Sequence, residues 1–397
     1  MSRTVSFLLF FSVALSLVGG VHYYLWARLV RDPGLPPDLH RGLTILFWAL
    51  FLTVPIGLVL ARSIDNAAGR TFLWVSFIWL GLLLLLFVVV GALDLLRAGT
   101  LLGFLAFEPE APADPERRRL LSRLLAGAAT VIAGGMGFAA LRSGLSGVIA
   151  REVTVRLARL PNELDGTTIV QLSDVHVGPT IKRAFIEELV RKTNALEPDV
   201  IAITGDLVDG SVEALRHHVE PLKNLRARYG VFFVTGNHEY YSGADAWCEE
   251  LERLGIRVLR NERVVIGSGE ASYDLAGIDD YHAEQFGGGH GADLARATLG
   301  RDPSRELVLL AHQPRAVFEA KERGVGLQLS GHTHGGQIWP WNWLVRLQQP
   351  VVAGLARFGE TLIYVSSGTG YWGPPMRLGA PAEITRVVLL APEEALA

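Results

Sequence analysis

Thr168-Ile169-Val170-Gln171-Leu172-Ser173-Asp174-Val175-His176 and Gly326-Leu327-Gln328-Leu329-Ser330-Gly331-His332-Thr333-His334-Gly335-Gly336 share one grammar: a short apolar run that breaks off into residues able to bind a metal. Val200–Thr204 before Gly205-Asp206-Leu207-Val208-Asp209, Val231–Thr235 before Gly236-Asn237-His238-Glu239, and Leu307–Leu310 before Ala311-His312-Gln313-Pro314 repeat it. Runs this short, rich in branched residues and bounded by turn formers, read as buried strands. The polar residues therefore stand at strand ends, where an open α/β sheet places its sites. Outward from these runs, Lys182–Leu196, Val212–Arg228, Ala244–Leu254 and Gly291–Leu299 carry helical patterns, and Glu152–Leu157, Thr361–Val365 and Glu383–Leu390 read as further strands. The alternation predicts an α/β domain over 151–397.

The region 1–150 belongs to a different solvent. The first Lys of the chain is Lys182, and the charged fraction of 19% falls below the roughly 25% usual for soluble domains. Four apolar stretches, 5–25, 43–60, 72–96 and 120–141, are long enough as helices to cross a bilayer. The fourth, rich in Gly and Ala, suits close helix packing. Asp94 is the exception among nearly charge-free spans and is expected to snorkel toward the interface. Glu108-Pro109-Glu110-Ala111-Pro112-Ala113-Asp114-Pro115-Glu116 reads as a linker.

Arg28, Arg31, Arg41, Arg97, Arg117, Arg118, Arg119 and Arg123 flank one face, against Arg3, Arg62, Arg70, Arg142 and Arg151 on the other. The excess marks the first face as cytoplasmic, which puts the carboxyl-terminal domain outside the cytoplasm. Arg117-Arg118-Arg119 reads either as an internal export signal or as an ordinary positive flank. A net charge of -3 excludes recruitment of nucleic acid by charge. The single Cys248, on a polar-looking helix, excludes intrachain disulfides.

If the strands continue through them, Asp174 and His176 project to one side, as do His332 and His334. Carboxylate, imidazole and amide oxygen without sulfur suit Mn²⁺, Fe or Zn²⁺. The order Asp-x-His, Gly-Asp-x-x-Asp, Gly-Asn-His-Glu, His, Gly-His-x-His, between Thr154 and Leu390, resembles the calcineurin-like metallophosphoesterase family. With the attached membrane segment it is similar to the membrane-linked bacterial branch, which includes exported phosphoesterases and UDP-2,3-diacylglucosamine pyrophosphatases. The resemblance implies a two-sheet α/β/β/α sandwich and two divalent ions. Asp174, His176, Asp206 and His334 would hold one. Asp206 would bridge to the second, held also by Asn237, His312 and His332. It further implies attack by a metal-bridging hydroxide, with His238 protonating the leaving oxygen and Asp209 orienting His238.

The expected function is hydrolysis of a phosphoester or pyrophosphate bond, in a lipid-linked substrate, by a membrane-anchored enzyme. A cytoplasm-facing UDP-2,3-diacylglucosamine pyrophosphatase is one rival; a sensor or transporter regulated by a metal-binding domain is another. Arg377 is a candidate for pairing with a phosphate oxygen, and His282 for lining the substrate pocket. Glu239 reads as a helix cap, and His217, His218 and His290 as solvated. Trp339-Pro340-Trp341-Asn342-Trp343 is expected to touch membrane lipid.

Overall fold

The computed structural model describes residues 3–60, 66–107 and 114–393. The chain divides into two compact units, Met1–Arg142 with Gly373–Met376, and Ser143–Trp372 with Arg377–Ala397.

The first unit contains α1 (Arg3–Trp26), which continues as a π-helical turn (Ala27–Arg31), α2 (Pro37–Leu60), α3 (Ala67–Phe107) and α4 (Pro115–Leu145). Phe11–Arg31, Pro37–Gly57, Ala67–Thr100 and Pro115–Leu145 are long and apolar enough to cross a membrane. A Cβ on Gly57 would collide with Ser76, and one on Gly137 with Leu82, so small residues let these helices approach closely. Asp94 is paired: it accepts from Arg28 Nε at 2.8 Å and from the Tyr24 hydroxyl at 2.7 Å, which satisfies a carboxylate that lipid would not. The linker lies outside the described residues over 108–113.

The second unit opens with β1 (Ile149–Arg156), which therefore begins just before residue 151. It continues with β2 (Thr168–Leu172), α5 (Arg183–Asn194), β3 (Val200–Thr204), α6 (Val212–Val219), β4 (Val231–Val234), α7 (Asn237–Ser242), α8 (Ala244–Arg253) and β5 (Arg257–Val258). The remaining strands are β6 (Glu262–Ser268), β7 (Ala271–Gly277), β8 (Leu307–Leu310), β9 (Leu327–Ser330), β10 (Gly354–Phe358), β11 (Thr361–Val365) and β12 (Glu383–Leu390). They form two sheets, ordered β1-β12-β2-β3-β4-β5 and β10-β11-β9-β8-β7-β6.

Side chains alternate along a strand, so each buried run has two destinations. Ile169, Ala202, Phe232 and Val387 of the first sheet share one core with Leu275, Val308, Leu329 and Tyr364 of the second. The alternates Val170, Ile201, Ile203 and Phe233 pack on Ile186, Leu189, Leu215, Trp247 and Leu251 of α5, α6 and α8. On the other side Ala276, Leu307 and Leu309 pack on Leu294, Ala297, Ala316 and Ala320. The layers are helix, sheet, sheet, helix.

Two expected helices are shorter than their patterns. The one over Val212–Arg228 stops at Val219 and passes into a 3₁₀ turn, Glu220–Asn224, because Pro221 has no N–H to extend the ladder. Gly291–Leu299 keeps only the turn Leu294–Ala297, capped by the Asp293 side chain. The face of α8 that carries Cys248 is not polar: Trp247, Cys248 and Leu251 are buried, and burial pushes the thiol up to about 12.

Candidate metal centre

The strands do not continue through the ligand motifs. β2 ends at Leu172 and β9 at Ser330, and Asp174 (φ 53°), His176 (54°), Asp206 (52°), His332 (71°) and His334 (51°) all lie in the left-handed region. Side chains there disfavour this conformation, so the surrounding structure must over-determine it. The loop after β2 runs beside the loop after β3 through Asp174 N to Gly205 O at 3.0 Å, His176 N to Asp206 O at 3.1 Å and Val177 N to Leu207 O at 2.8 Å. The Asp174 carboxylate accepts from His332 N at 2.9 and 3.1 Å. Gly205 sits where a Cβ would strike the His312 ring and the backbone of Gly236; on Gly331 it would strike the Asp174 carboxylate. Glycine at these positions lets the loops meet.

Their meeting brings together six of the seven residues expected to ligate metal. Asp174, His176 and His334 form one group of converging donor atoms, and Asp206, His312 and His332 another; Asp206 also groups with His176 and His238. His176 Nε2 faces His334 Nε2 at 3.0 Å, His332 Nδ1 faces His312 Nε2 at 3.2 Å, and His312 Nε2 is 3.1 Å from Asp206 Oδ2. His312 Nδ1 donates to Thr204 O at 2.8 Å, the outer hydrogen bond characteristic of a ligating imidazole, and Nε2 is aimed at Asp206. Asn237 Oδ1 is buried without a hydrogen-bond partner. A buried amide oxygen without a donor is costly, and a divalent cation satisfies it. The donor set and this orphaned oxygen fit a metal centre.

Burial pushes Asp174 up. Burial acts on Asp206 too, but the His312, His238 and His176 imidazoles hold its carboxyl well below the usual range. Burial and the His312 charge push His332 down to about 3, and burial with the nearby His176 and Arg377 charges holds His334 well below its ordinary value. Both rings are thus neutral donors, as metal ligation requires.

His238 stands at the edge of the two groups, 14% exposed, with Nε2 3.9 Å from Asp206 Oδ2. Burial alone would lower its pKa, but the Asp206 and Asp209 carboxylates outweigh this and raise it to about 9. Asp209 accepts from His238 Nδ1 through one oxygen, and its other oxygen lies 3.1 Å from His176 Nδ1. One carboxylate therefore orients two rings.

Glu239 does more than cap a helix. Fully buried, it accepts from Gly236 N (2.7 Å), Asp206 N (2.9 Å), Leu207 N (2.8 Å) and Val208 N (3.3 Å), tying the Asp206 loop to the Asn237 loop. Only the cap was readable from sequence, since the other three donors lie about thirty residues earlier.

Arg377 does not face the site mouth. It is fully buried, and its guanidinium donates to the carbonyls of Gly370 (2.9 Å), Ser367 (2.8 Å), Ala380 (2.8 Å) and Gly368 (3.3 Å). With its donors engaged by backbone it braces the loop beside His334 rather than a substrate phosphate. His282 lies partly buried on the loop after β7, next to Asp280. His290 is not solvated: it is 14% exposed and lies against Arg260 and the Tyr240 ring. Two aromatic rings flank His238, Tyr241 at 5.4 Å and Trp372 at 5.6 Å, about half exposed.

A family description, calcineurin-like phosphoesterase, matches residues 167–336. The chain is 36% identical over 403 residues to a zebrafish (Danio rerio) transmembrane protein with metallophosphoesterase domain, covering 97% of this chain and 89% of that one. A bovine (Bos taurus) protein of the same description is 46% identical over 250 residues, covering 60% of this chain and 56% of that one. An uncharacterized metallophosphoesterase of Campylobacter jejuni is 31% identical over 380 residues, covering 95% and 97%. Relatives described as transmembrane thus occur in animals, and metallophosphoesterase relatives in bacteria as well.

Proposed function

Because this chain belongs to the calcineurin-like metallophosphoesterase family and is a metal-dependent phosphoesterase, we propose that it hydrolyses a phosphoester or pyrophosphate bond in a lipid-linked substrate. Asp174, His176, Asp206 and His334 would hold one divalent ion, and Asp206, Asn237, His312 and His332 the other; oxygen and nitrogen donors without thiolate favour Mn²⁺, Fe²⁺ or Zn²⁺. When bound, the pair supplies Lewis acidity toward phosphoryl oxygens and a water acidic enough to act as nucleophile near neutral pH. His238, protonated at neutral pH, donates its Nε2 proton to the leaving oxygen, and Asp209 fixes the ring through Nδ1.

The observation that carries the assignment of roles is the shared Asp206. Asp206 groups with His312 and His332 on one side and with His176, itself grouped with Asp174 and His334, on the other, and His238 stands beside it. The lipid-linked substrate is supported by exposed aromatics: Trp339 is 43%, Trp341 50% and Trp343 66% exposed just after the His332–His334 motif, and Tyr241 and Trp372 rim His238. Large exposed apolar side chains in a chain with four candidate spans favour an amphiphilic ligand. The arginine excess around the α1–α2 and α3–α4 connections favours a catalytic domain outside the cytoplasm.

The test is hydrolysis by the detergent-solubilised full chain of phosphomonoesters, phosphodiesters and pyrophosphates, each with and without acyl chains, with Mn²⁺, Fe²⁺ and Zn²⁺ added singly. Faster turnover of the acylated versions is expected. Equal kcat/KM for acylated and soluble versions would overturn the lipid-linked substrate. Hydrolysis confined to acylated nucleotide-sugar pyrophosphates would favour the cytoplasm-facing alternative.

A further inference from the structure

We infer that the membrane unit carries a second anion site, for a phosphate group, distinct from the metal centre. It is a cleft of about 450 Å³ lined by Arg28, Arg31, Asp32, Arg97, Arg118 and Arg119. Five arginines thus line one cavity with a single carboxylate residue among them. That carboxylate is engaged: Asp32 pairs with Arg28 at 2.9 Å and Arg31 at 3.0 Å. Arg28 also reaches Asp94 at 2.8 Å. Among the described residues, Arg97, Arg118 and Arg119 have no ion-pair partner.

A positive flank that merely sets topology has no reason to gather its charges. Here they come from three separate segments, the end of the first span, the second half of α3 and the first turns of α4. The wall is also fixed. Arg123, one turn beyond Arg119, donates to Pro33 O at 2.8 Å and Gly34 O at 2.9 Å, locking α4 to the α1–α2 turn. Like charges held together in a cavity repel unless an anion joins them, and the planar guanidinium fork matches phosphate oxygens two at a time.

The level of the cleft identifies the chemistry further. The candidate spans run Phe11–Arg31, Ala67–Thr100 and Pro115–Leu145, so Arg31, Arg97, Arg118 and Arg119 all lie near span ends, at the depth of phospholipid head groups. The ligand is a phosphate anion, from an anionic phospholipid head group or as free inorganic phosphate.

The two sources separate in one experiment on the full-length protein in detergent. Retention of phosphatidylglycerol against phosphatidylcholine is measured by native mass spectrometry, and binding of radiolabelled inorganic phosphate by equilibrium dialysis. Wild type is compared with R97Q/R118Q/R119Q, and with R142Q at the other end of α4. For a head-group site, wild type and R142Q retain phosphatidylglycerol preferentially, and the triple variant loses that preference by about a hundredfold, from three arginines removed near the surface. For free phosphate, wild type binds one ion more than the triple variant and shows no lipid preference. If neither ligand distinguishes wild type from the triple variant, the inference is wrong. Unchanged hydrolysis of a soluble ester confirms that the variant is folded; should it fail to fold, R118Q and R119Q singly, each about fivefold weaker, carry the same test.

Discussion

Replacing Glu239 with Gln changes one atom's chemistry at the point where two ligand loops are joined. One carboxylate oxygen accepts from Gly236 N and Asp206 N, the other from Leu207 N and Val208 N. An amide keeps one acceptor and turns an NH₂ toward the other pair of N–H donors. Two backbone donors then lose their partner in a fully buried setting, each costing about 1–3 kcal/mol, for a total of about 2–6 kcal/mol. Either amide orientation gives the same count, so side-chain rotation offers no escape. For a unit of this size the melting temperature falls by at least about 4 °C. The Asp206 loop is also freed from the Asn237 loop, so affinity for metal drops with stability. Thermal melting followed by tryptophan fluorescence, with and without added Mn²⁺, reads both effects on the full chain. If E239Q melts within a degree of wild type and binds metal as tightly, Glu239 is only a helix cap and the argument for the coupled loops fails.

Three further outcomes are expected. His238→Ala retains its metal but loses about 10²- to 10⁴-fold in kcat, the range of a general acid; loss of metal in proportion to activity would make His238 a ligand instead. Arg377→Gln lowers stability by at least about 2 kcal/mol, since more than one buried carbonyl loses its donor, which denaturant titration measures; intact stability with a raised KM would restore Arg377 as a substrate residue. The double substitution W341S/W343S leaves hydrolysis of a soluble ester unchanged and slows that of a vesicle-embedded ester by about tenfold, the loss expected when exposed interfacial anchors are removed. Equal slowing of both substrates would place these rings at the site rather than at the bilayer.

The buried strands were legible because a doubly covered strand is a short apolar run whatever its partners: β2, β3, β8, β11 and β12 coincide with runs read from the sequence. β5, β6 and β10 lie at or near sheet edges with one face open, and no such run marks them. The ligands were found by their residue types, but the geometry that aims them was not. An alternating strand would have placed Asp174 and His176 on one side, whereas left-handed turns point them inward, held by hydrogen bonds from distant loops. The role of Arg377, and the reach of Glu239 beyond the cap read for it, stayed hidden for the same reason. Their partners are main-chain groups, and a main-chain partner leaves no signature in sequence. Asp94 likewise read as an isolated charge until Arg28, 66 residues earlier, was found beside it.

Metal counting tests the account at its centre, since everything proposed for the site depends on two ions meeting at Asp206. Inductively coupled plasma mass spectrometry on the full chain should find about two divalent ions per wild-type molecule, about one in Asn237→Ala and close to none in Asp206→Ala. Two ions retained by Asp206→Ala, or no more than one in wild type, would contradict a shared, dinuclear centre.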